Sequence, residues 1–600
     1  MNSKPIILIA AAALISATSC DRDIESTVQP QHVTFTLSFD GAAASATRAT
    51  YDGLTGVWEA GDEVYAYLTS TDNVSYGPYT FTPDTAGERA TFQAEITGIP
   101  DGTRIASIDA YHYDNLNAVA FDNGTISYSL PATADGTLSY MTVSSYDYPS
   151  GSEPAASEGG TIDITEALTF THCLSRIDIE TDIPNIRDVT IGIVGGSFPS
   201  SGRLDVADGV TTAAATTALL HTTPSDNFQI GIIPVDFGGN RTLRAAVVTT
   251  DGKAYTREVT VSAFEKAKRY TLDLSLSTGS GLNEITAVST EEGLKGLSGK
   301  SGDFVLTADI TPKNIPHITN FSGTLDGNGY TINISGSESS TTSGQGGIFA
   351  NTTGDAKISN LDIIGGDRQA TMAEGGMLVG LVSDGSTLTI DNVHVSGTIT
   401  ASRDSDASHL FAGGIVGFVP TDSKINISNS SFIGTITIDQ SGVTGIRFKN
   451  SYVGGIVGCV ETGVEDFSKS SEYTGSTNGS TSTITNCTVT DTNLNNTHDG
   501  SYDTPWGESS GSEIYTGGIA GRCTGLITNC SVENIVIKSI SEGDGSGRQA
   551  KPIVGNDWYE NSNNADNSYT NVAINDNEAS SGTYNGANTA GGVENRYQTK

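Results

Sequence analysis

Basic residues are scarce in this chain. Lys and Arg total 31 against 69 Asp and Glu, a formal charge of −38 over 600 residues. That balance argues against a nucleic-acid or anionic-membrane surface, since both need a basic face. Methionine is also rare, with four copies, and long amphipathic helical patterns are few. Six cysteines occur and none forms a CxxC pair, which removes zinc and thioredoxin-type readings. The eight histidines are scattered, with no HExxH. Glycine (70 copies), Thr, Ser and Asn are plentiful instead. Short β-favouring stretches alternate with turns, and the length predicts several domains.

The N-terminus reads "MNSKPIILIAAAALISATSC". Lys4 gives a positive start, and the apolar run Ile6–Ile15 is too short to span a bilayer but suits a signal-peptide core. Ala17, Thr18 and Ser19 lead to Cys20. This resembles a bacterial lipoprotein signal, with Ala17 where leucine is usual. It implies removal of residues 1–19, acylation at Cys20 and a lipid anchor in the outer membrane. Ordinary secretory cleavage is the alternative. Residues 20–30 read as an acidic tether, with Asp21, Asp23 and Glu25 resembling the export tag of Bacteroidetes surface lipoproteins. The remaining cysteines, Cys173, Cys459, Cys487, Cys523 and Cys530, leave at least one unpaired thiol.

From His32 the chain alternates with period two: "HVTFTLSF", "DEVYAYL", "ATFQAEI", "TISYSL". Turn pairs Asp52-Gly53, Asp101-Gly102 and Asn123-Gly124 separate these strands. A β-sandwich is expected. The block "ATRATYDGLTGVWEAGDEVYAY" (Ala46–Tyr67) resembles the fimbrillin family of pilus subunits, through Thr47-Arg48-Ala49-Thr50 and Trp58, Gly61 and Asp62. "LTFTHCLSRIDIE" (Leu168–Glu180), with Phe170, His172, Leu174 and Ile177, is similar to the next family block. Ile230–Phe237, Asp251–Val259 and Phe264–Leu276 continue it, although Ala267 stands where the family has Gly. The resemblance implies two transthyretin-like β-sandwiches, over 31–164 and 165–276. Read as residues alone, Trp58 fills a core, Gly61-Asp62 makes a turn and His172 is a core histidine.

The resemblance also implies an assembly mechanism. A protease cuts after an arginine near the N-terminus, the first strand leaves, and a neighbouring subunit's strand fills the groove. Arg48, in the small polar stretch "AAASATRAT", is the candidate for cleavage. A solvated loop arginine is the alternative.

Residues 277–319 read as linker and cap. Beyond them, "FAGGIVGFV" (Phe411–Val419) returns as "YVGGIVGCV" (Tyr452–Val460) and "YTGGIAGRC" (Tyr515–Cys523). Glycine pairs at 346–347, 375–376, 413–414, 454–455 and 517–518 alternate with strands centred on Asn360, Asn392, Asn429, Asn486, Asn529 and Asn571. Spacings of 32 to 57 residues leave room for inserted loops. Recurrence of one unit predicts an array whose coils cover each other's cores. The repeats resemble the GLUG motif of bacterial surface proteins, which implies a right-handed parallel β-helix over 320–600. Cys487 and Cys530 share one repeat position, either as stacked thiols or as a disulfide.

Catalytic motifs fail on context. The repeated glycines lack the Lys-Ser/Thr of a P-loop, and "GLKGLSGKS" (Gly293–Ser301) has Leu294 where glycine is required. "GESSG" (Gly507–Gly511) lies in a Ser/Gly-rich loop with no preceding buried strand. Asp404 and Asp406 read as loop charge rather than a calcium site. The expectation is an all-β surface pilin, at a fimbrial tip, with no catalysis, metal or cofactor. A bulky C-terminal array is awkward as a donated strand, hence the tip. Its partners would be other pilus subunits and a glycan or a host or bacterial surface protein. Candidate contacts are Tyr473, Tyr502, Trp506, Tyr515, Trp558 and Tyr559, as ligand anchors or as rim residues. A carbohydrate-active enzyme and a non-pilus glycan-binding lipoprotein are the rivals.

Overall fold

The computed structural model describes residues 32–41, 58, 61–83, 90–122, 124–134, 138–224, 228–277, 279, 281–334, 339–402, 409–440, 450–461, 482–498, 513–541, 547–556, 564–575, 577, 579–584 and 597–599. The protein is all-β. One short helix, Glu291–Lys295, occurs among the described residues, capped by the Thr290 hydroxyl on the Gly293 N–H. No helix among them is long and apolar enough to cross a membrane. The described chain divides into two compact units, one containing residues 56–111 and 144–170 with the N-terminal strand, the other 112–143 and 171–600.

In the first unit the period-two pattern decides the strands. Val64, Ala66 and Leu68 of Val64–Ser70 point inward and are buried, while their neighbours are half-buried. The sheet runs in the order Thr161–Leu168, His32–Gly41, Ala90–Pro100, Ser75–Pro83, Val64–Ser70 and Ile105–Asp114. Trp58 is fully buried, edge-on to Phe92 at 4.4 Å and to Phe170 at 5.7 Å. Gly61 turns the chain into the Val64 strand.

The second unit contains a second group of sheets. Ser175–Glu180 lies between Gln229–Ile232, antiparallel, and Arg269–Asp273, parallel. Ile186–Ile193 pairs with Val235–Thr249, which pairs with Ala254–Phe264. A separate four-stranded sheet is ordered Thr211–Thr217, Phe198–Asp205, Thr125–Ser129 and Asn117–Asp122.

The sheet then continues into parallel rungs. Ala254–Phe264 pairs with Asn283–Val288, which pairs parallel with Asp303–Leu306 and so onward. The registers bring one apolar position of each repeat into a column: Leu325, Ile358, Ile390, Ile427, Ile484 and Ile527. All six are at most 1% exposed. A second column joins Ile363, Val395, Phe432, Val489, Val532 and Tyr569. Each such side chain contributes about 1.5–3 kcal/mol by burial, so a register slip would cost a whole column.

The glycine pairs stand beside a second, six-stranded parallel sheet that includes Val379–Val382, Val416–Val419, Val457–Val460 and Ala520–Cys523. A Cβ on Gly413 would lie 1.9 Å from the Val416 carbonyl oxygen, and one on Gly454 2.0 Å from that of Val457. Only glycine permits that approach.

The asparagine column is less regular than the sequence implies. Asn360, Asn392, Asn429, Asn486 and Asn529 all adopt φ of 50–54°, which asparagine tolerates. Asn392 donates to Asn360 at 3.0 Å and Asn486 to Asn429 at 3.2 Å. Asn429 turns instead to Asp391 at 2.8 Å, and the Asn392 oxygen accepts from His394 at 3.2 Å. Asn571 belongs elsewhere. Its rung partner is Asn534, whose oxygen accepts its amide at 2.8 Å.

Candidate functional site

Cys20, Arg48, Tyr473, Tyr502, Trp506, Trp558 and Tyr559 lie outside the described residues, as do Asp404 and Asp406. Tyr515 is described. It is 6% exposed and stacks on Tyr452 at 5.6 Å, which stacks on Phe411 at 5.2 Å, which stacks on Phe418 at 4.1 Å. Three equivalent repeat positions put these rings in register. Its faces are therefore those of a packing residue. His172 is 2% exposed beside Tyr140, whose hydroxyl lies 2.7 Å from His112 Nε2.

The N-terminal strand has a neighbour on each side. His32–Gly41 is an interior strand, antiparallel to Ala90–Pro100 along its whole length and parallel to Thr161–Leu168. Both neighbours carry buried apolar side chains, among them Phe92, Ile96, Ile162 and Ile164.

A polar cleft of about 450 Å3 lies in the second unit. Thr190, Arg244 and Glu258 line it from the strands Ile186–Ile193, Val235–Thr249 and Ala254–Phe264, and Asp303, Asp326, Lys357, Asn360 and Asp391 from the first rungs. Asp326 is buried there. Its Oδ1 accepts from the Asn328 N–H at 2.9 Å and from Asn360 Nδ2 at 3.0 Å, while Arg244 Nε stands 3.3 Å from Oδ2. A neighbouring cavity of about 730 Å3 is lined by His221, Asp362 and His394. Burial pushes the Asp362 carboxyl up, partly opposed by His394, and pushes the His221 imidazole down. No motif could have announced these groups, because residues from 190 to 391 converge only through the rung registers.

His394 Nδ1 lies 2.9 Å from the Ser431 hydroxyl, and its Nε2 3.2 Å from Asn392 Oδ1. The pair sits in an outward column, where rung-to-rung contacts such as Ser428 to Asp391 and Thr485 to Thr528 are of the same kind. It reads as one more such contact. Cys487 and Cys530 occupy facing positions on adjacent rungs as free, buried thiols. No group of three or more His, Cys, Asp or Glu able to hold a metal occurs among the described residues.

Residues 47–291 match the fimbrillin-like family, so the family resemblance read in the first half is borne out. No curated protein matches the chain. Among solved structures, a candidate adhesin from Bacteroides ovatus is 14% identical, with 41% of this chain and 88% of that one covered at a TM-score of 0.22. A candidate cell adhesion protein from Bacteroides fragilis is 11% identical, covering 42% and 97% at 0.26. A fimbrial protein from Bacteroides vulgatus is 15% identical, covering 38% and 92% at 0.20.

Proposed function

We propose that this chain, fimbrillin-like over residues 47–291, is a cell-surface pilus subunit that assembles by strand addition and carries a binding head in residues 320–600. The observation that carries the reading is the interior place of His32–Gly41, with a strand on either side. Arg48 follows it in sequence. Cleavage there frees the strand and leaves a slot between Ala90–Pro100 and Thr161–Leu168. An incoming strand restores both ladders: main-chain hydrogen bonds supply affinity and side-chain pockets supply register.

The remaining parts follow from that role. Residues 1–19 are a signal peptide, Cys20 carries lipid, and 20–30 tether the subunit to the outer membrane. Transthyretin-like sandwiches occupy 31–164 and 165–276, with linker and cap over 277–319. Residues 320–600 form a right-handed parallel β-helix of GLUG type, a reading supported by the parallel registers and buried columns. Such a head cannot be donated as a strand, which favours the tip. Its inserted segments, with Tyr473, Tyr502, Trp506, Trp558 and Tyr559, contact a glycan or a surface protein without catalysis. Tyr515 is excluded from that set by its burial.

The test treats the protein with an arginine-specific protease and offers a synthetic pilin C-terminal strand. A new N-terminus at Ala49 and stable uptake of the peptide are expected. A start at or before residue 47, or no uptake, rejects strand addition. Glycan binding without turnover supports the head, whereas released oligosaccharide would transfer it to the enzymes.

A further inference from the structure

The four-stranded sheet of the second unit ends in an open edge. Thr211–Thr217 pairs on one side only, with Phe198–Asp205, and stands last in the strand order. Residues 212–216 are all exposed, and Val210 beside them is 55% exposed. The outward N–H and C=O groups of this strand have no strand partner among the described residues. Such an edge templates pairing with another strand unless charge, proline or a covering element blocks it. Charge and proline are both absent here, and no strand among the described residues covers the edge; its one irregularity is the register slip beside Ala214. Between Asp208 and His221 there is no charged residue and no proline, in a chain of net charge −38. The opposite edge of the same sheet, Asn117–Asp122, does carry a terminal carboxylate.

The sequence of this edge identifies its partner. Counted outward from Ala214, Ala213 is matched by Ala215, Thr212 by Thr216, Thr211 by Thr217 and Val210 by Ala218. A two-fold contact places residue i against j and j against i, so it demands a self-complementary surface. An antiparallel strand with this symmetry meets itself as Thr on Thr and Ala on Ala, pairs that stabilise a sheet without steric conflict. Ala214 lies at the centre, where it also drops out of register with the inner strand. The local irregularity therefore falls on the axis and is shared equally by the two copies. A mixed partner would gain nothing from the symmetry.

We propose that Thr211–Thr217 is an isologous contact through which two copies of this chain join edge to edge, antiparallel about Ala214. Their four-stranded sheets become one continuous sheet. The contact is small, so the dimer belongs with weak interfaces burying less than about 1,200 Å2. Because each copy is strongly acidic, salt screens their mutual repulsion and strengthens the dimer rather than weakening it.

Sedimentation of the full chain over a concentration series tests this. A monomer–dimer equilibrium that tightens as salt is raised is expected. Ala214→Lys and Ala214→Asp place like charges face to face on the axis, and each alone should weaken the dimer about tenfold. Mixing the two variants should restore it as a heterodimer, which also shows that both are folded. A monomer at every concentration, variants that dimerise like the wild type, or no restoration on mixing would each overturn the proposal.

Discussion

Arg244 and Asp326 meet 3.3 Å apart with side chains 14% and 4% exposed, although 82 positions separate them in sequence. Arg244 belongs to the strand Val235–Thr249 and Asp326 to the rung Thr324–Asp326. The ion pair thus ties the fimbrillin-like region to the first rungs of the array. Asp326 accepts two hydrogen bonds besides this ion pair, whereas Arg244 Nε makes no hydrogen bond.

That asymmetry sets the order of two substitutions. Asp326→Ala leaves a largely buried guanidinium without its partner and strips two further donors, at a cost of about 3–5 kcal/mol. Arg244→Ala leaves a carboxylate that keeps two hydrogen bonds, at about 2 kcal/mol. Urea unfolding followed by fluorescence reads both. Equal costs would show that the ion pair alone matters.

Gly413→Ala should disrupt the array. The new Cβ would sit 1.9 Å from a backbone oxygen, which no rotamer change can relieve, so a loss of about 3 kcal/mol or more is expected. Gly61→Ala, whose Cβ would meet nothing within 4 Å, should change stability by about 0.5 kcal/mol at most. Thermal unfolding by circular dichroism compares them.

The thiols should be inert in the folded protein. Burial pushes Cys523 and Cys173 up to about 12, so at pH 8 only about one in ten thousand is thiolate. Iodoacetamide should leave all five described cysteines unmodified in buffer and alkylate all five in denaturant without reductant. Protection of Cys487 and Cys530 in unreduced denaturant would reveal a disulfide.

Asp362 makes a pH prediction. Partial desolvation beside the cavity raises its carboxyl in the fold, so the folded state holds its proton at a pH where the unfolded chain has lost it. Stability from this group is present below the unfolded value, near 3.9, and declines as pH rises through the folded one. Asp362→Asn removes that decline, so the variant should gain stability relative to the wild type as pH rises from about 4. A difference between the two proteins that does not change with pH would reverse the assignment.

The strands of the first half were legible because many bury one face, and period-two alternation records that directly in strands such as Val64–Ser70. The parallel pairing of the second half was legible because each repeat poses one problem, a close backbone approach too tight for a side chain. Five glycine pairs and a recurring asparagine were therefore enough to announce it. Asn571 misled because a motif match records local conformation, here a φ of 53°, and not the rung to which a residue belongs. Tyr515 misled because a sequence marks a ring as large and amphipathic but not which neighbours stack on it. The polar cleft was invisible for a related reason: its carboxylates sit in ordinary turns and strands until the rungs align.

By itself the sequence determined what each segment must be. Alternation, tight turns and repeats are short-range constraints, set by backbone sterics and by which face is dry. The tertiary structure alone decided what meets what: Arg244 with Asp326, Asn571 with Asn534, Tyr515 with Tyr452. Those pairings depend on register between strands far apart in sequence, and register is fixed only when whole columns of Ile and Val are buried together.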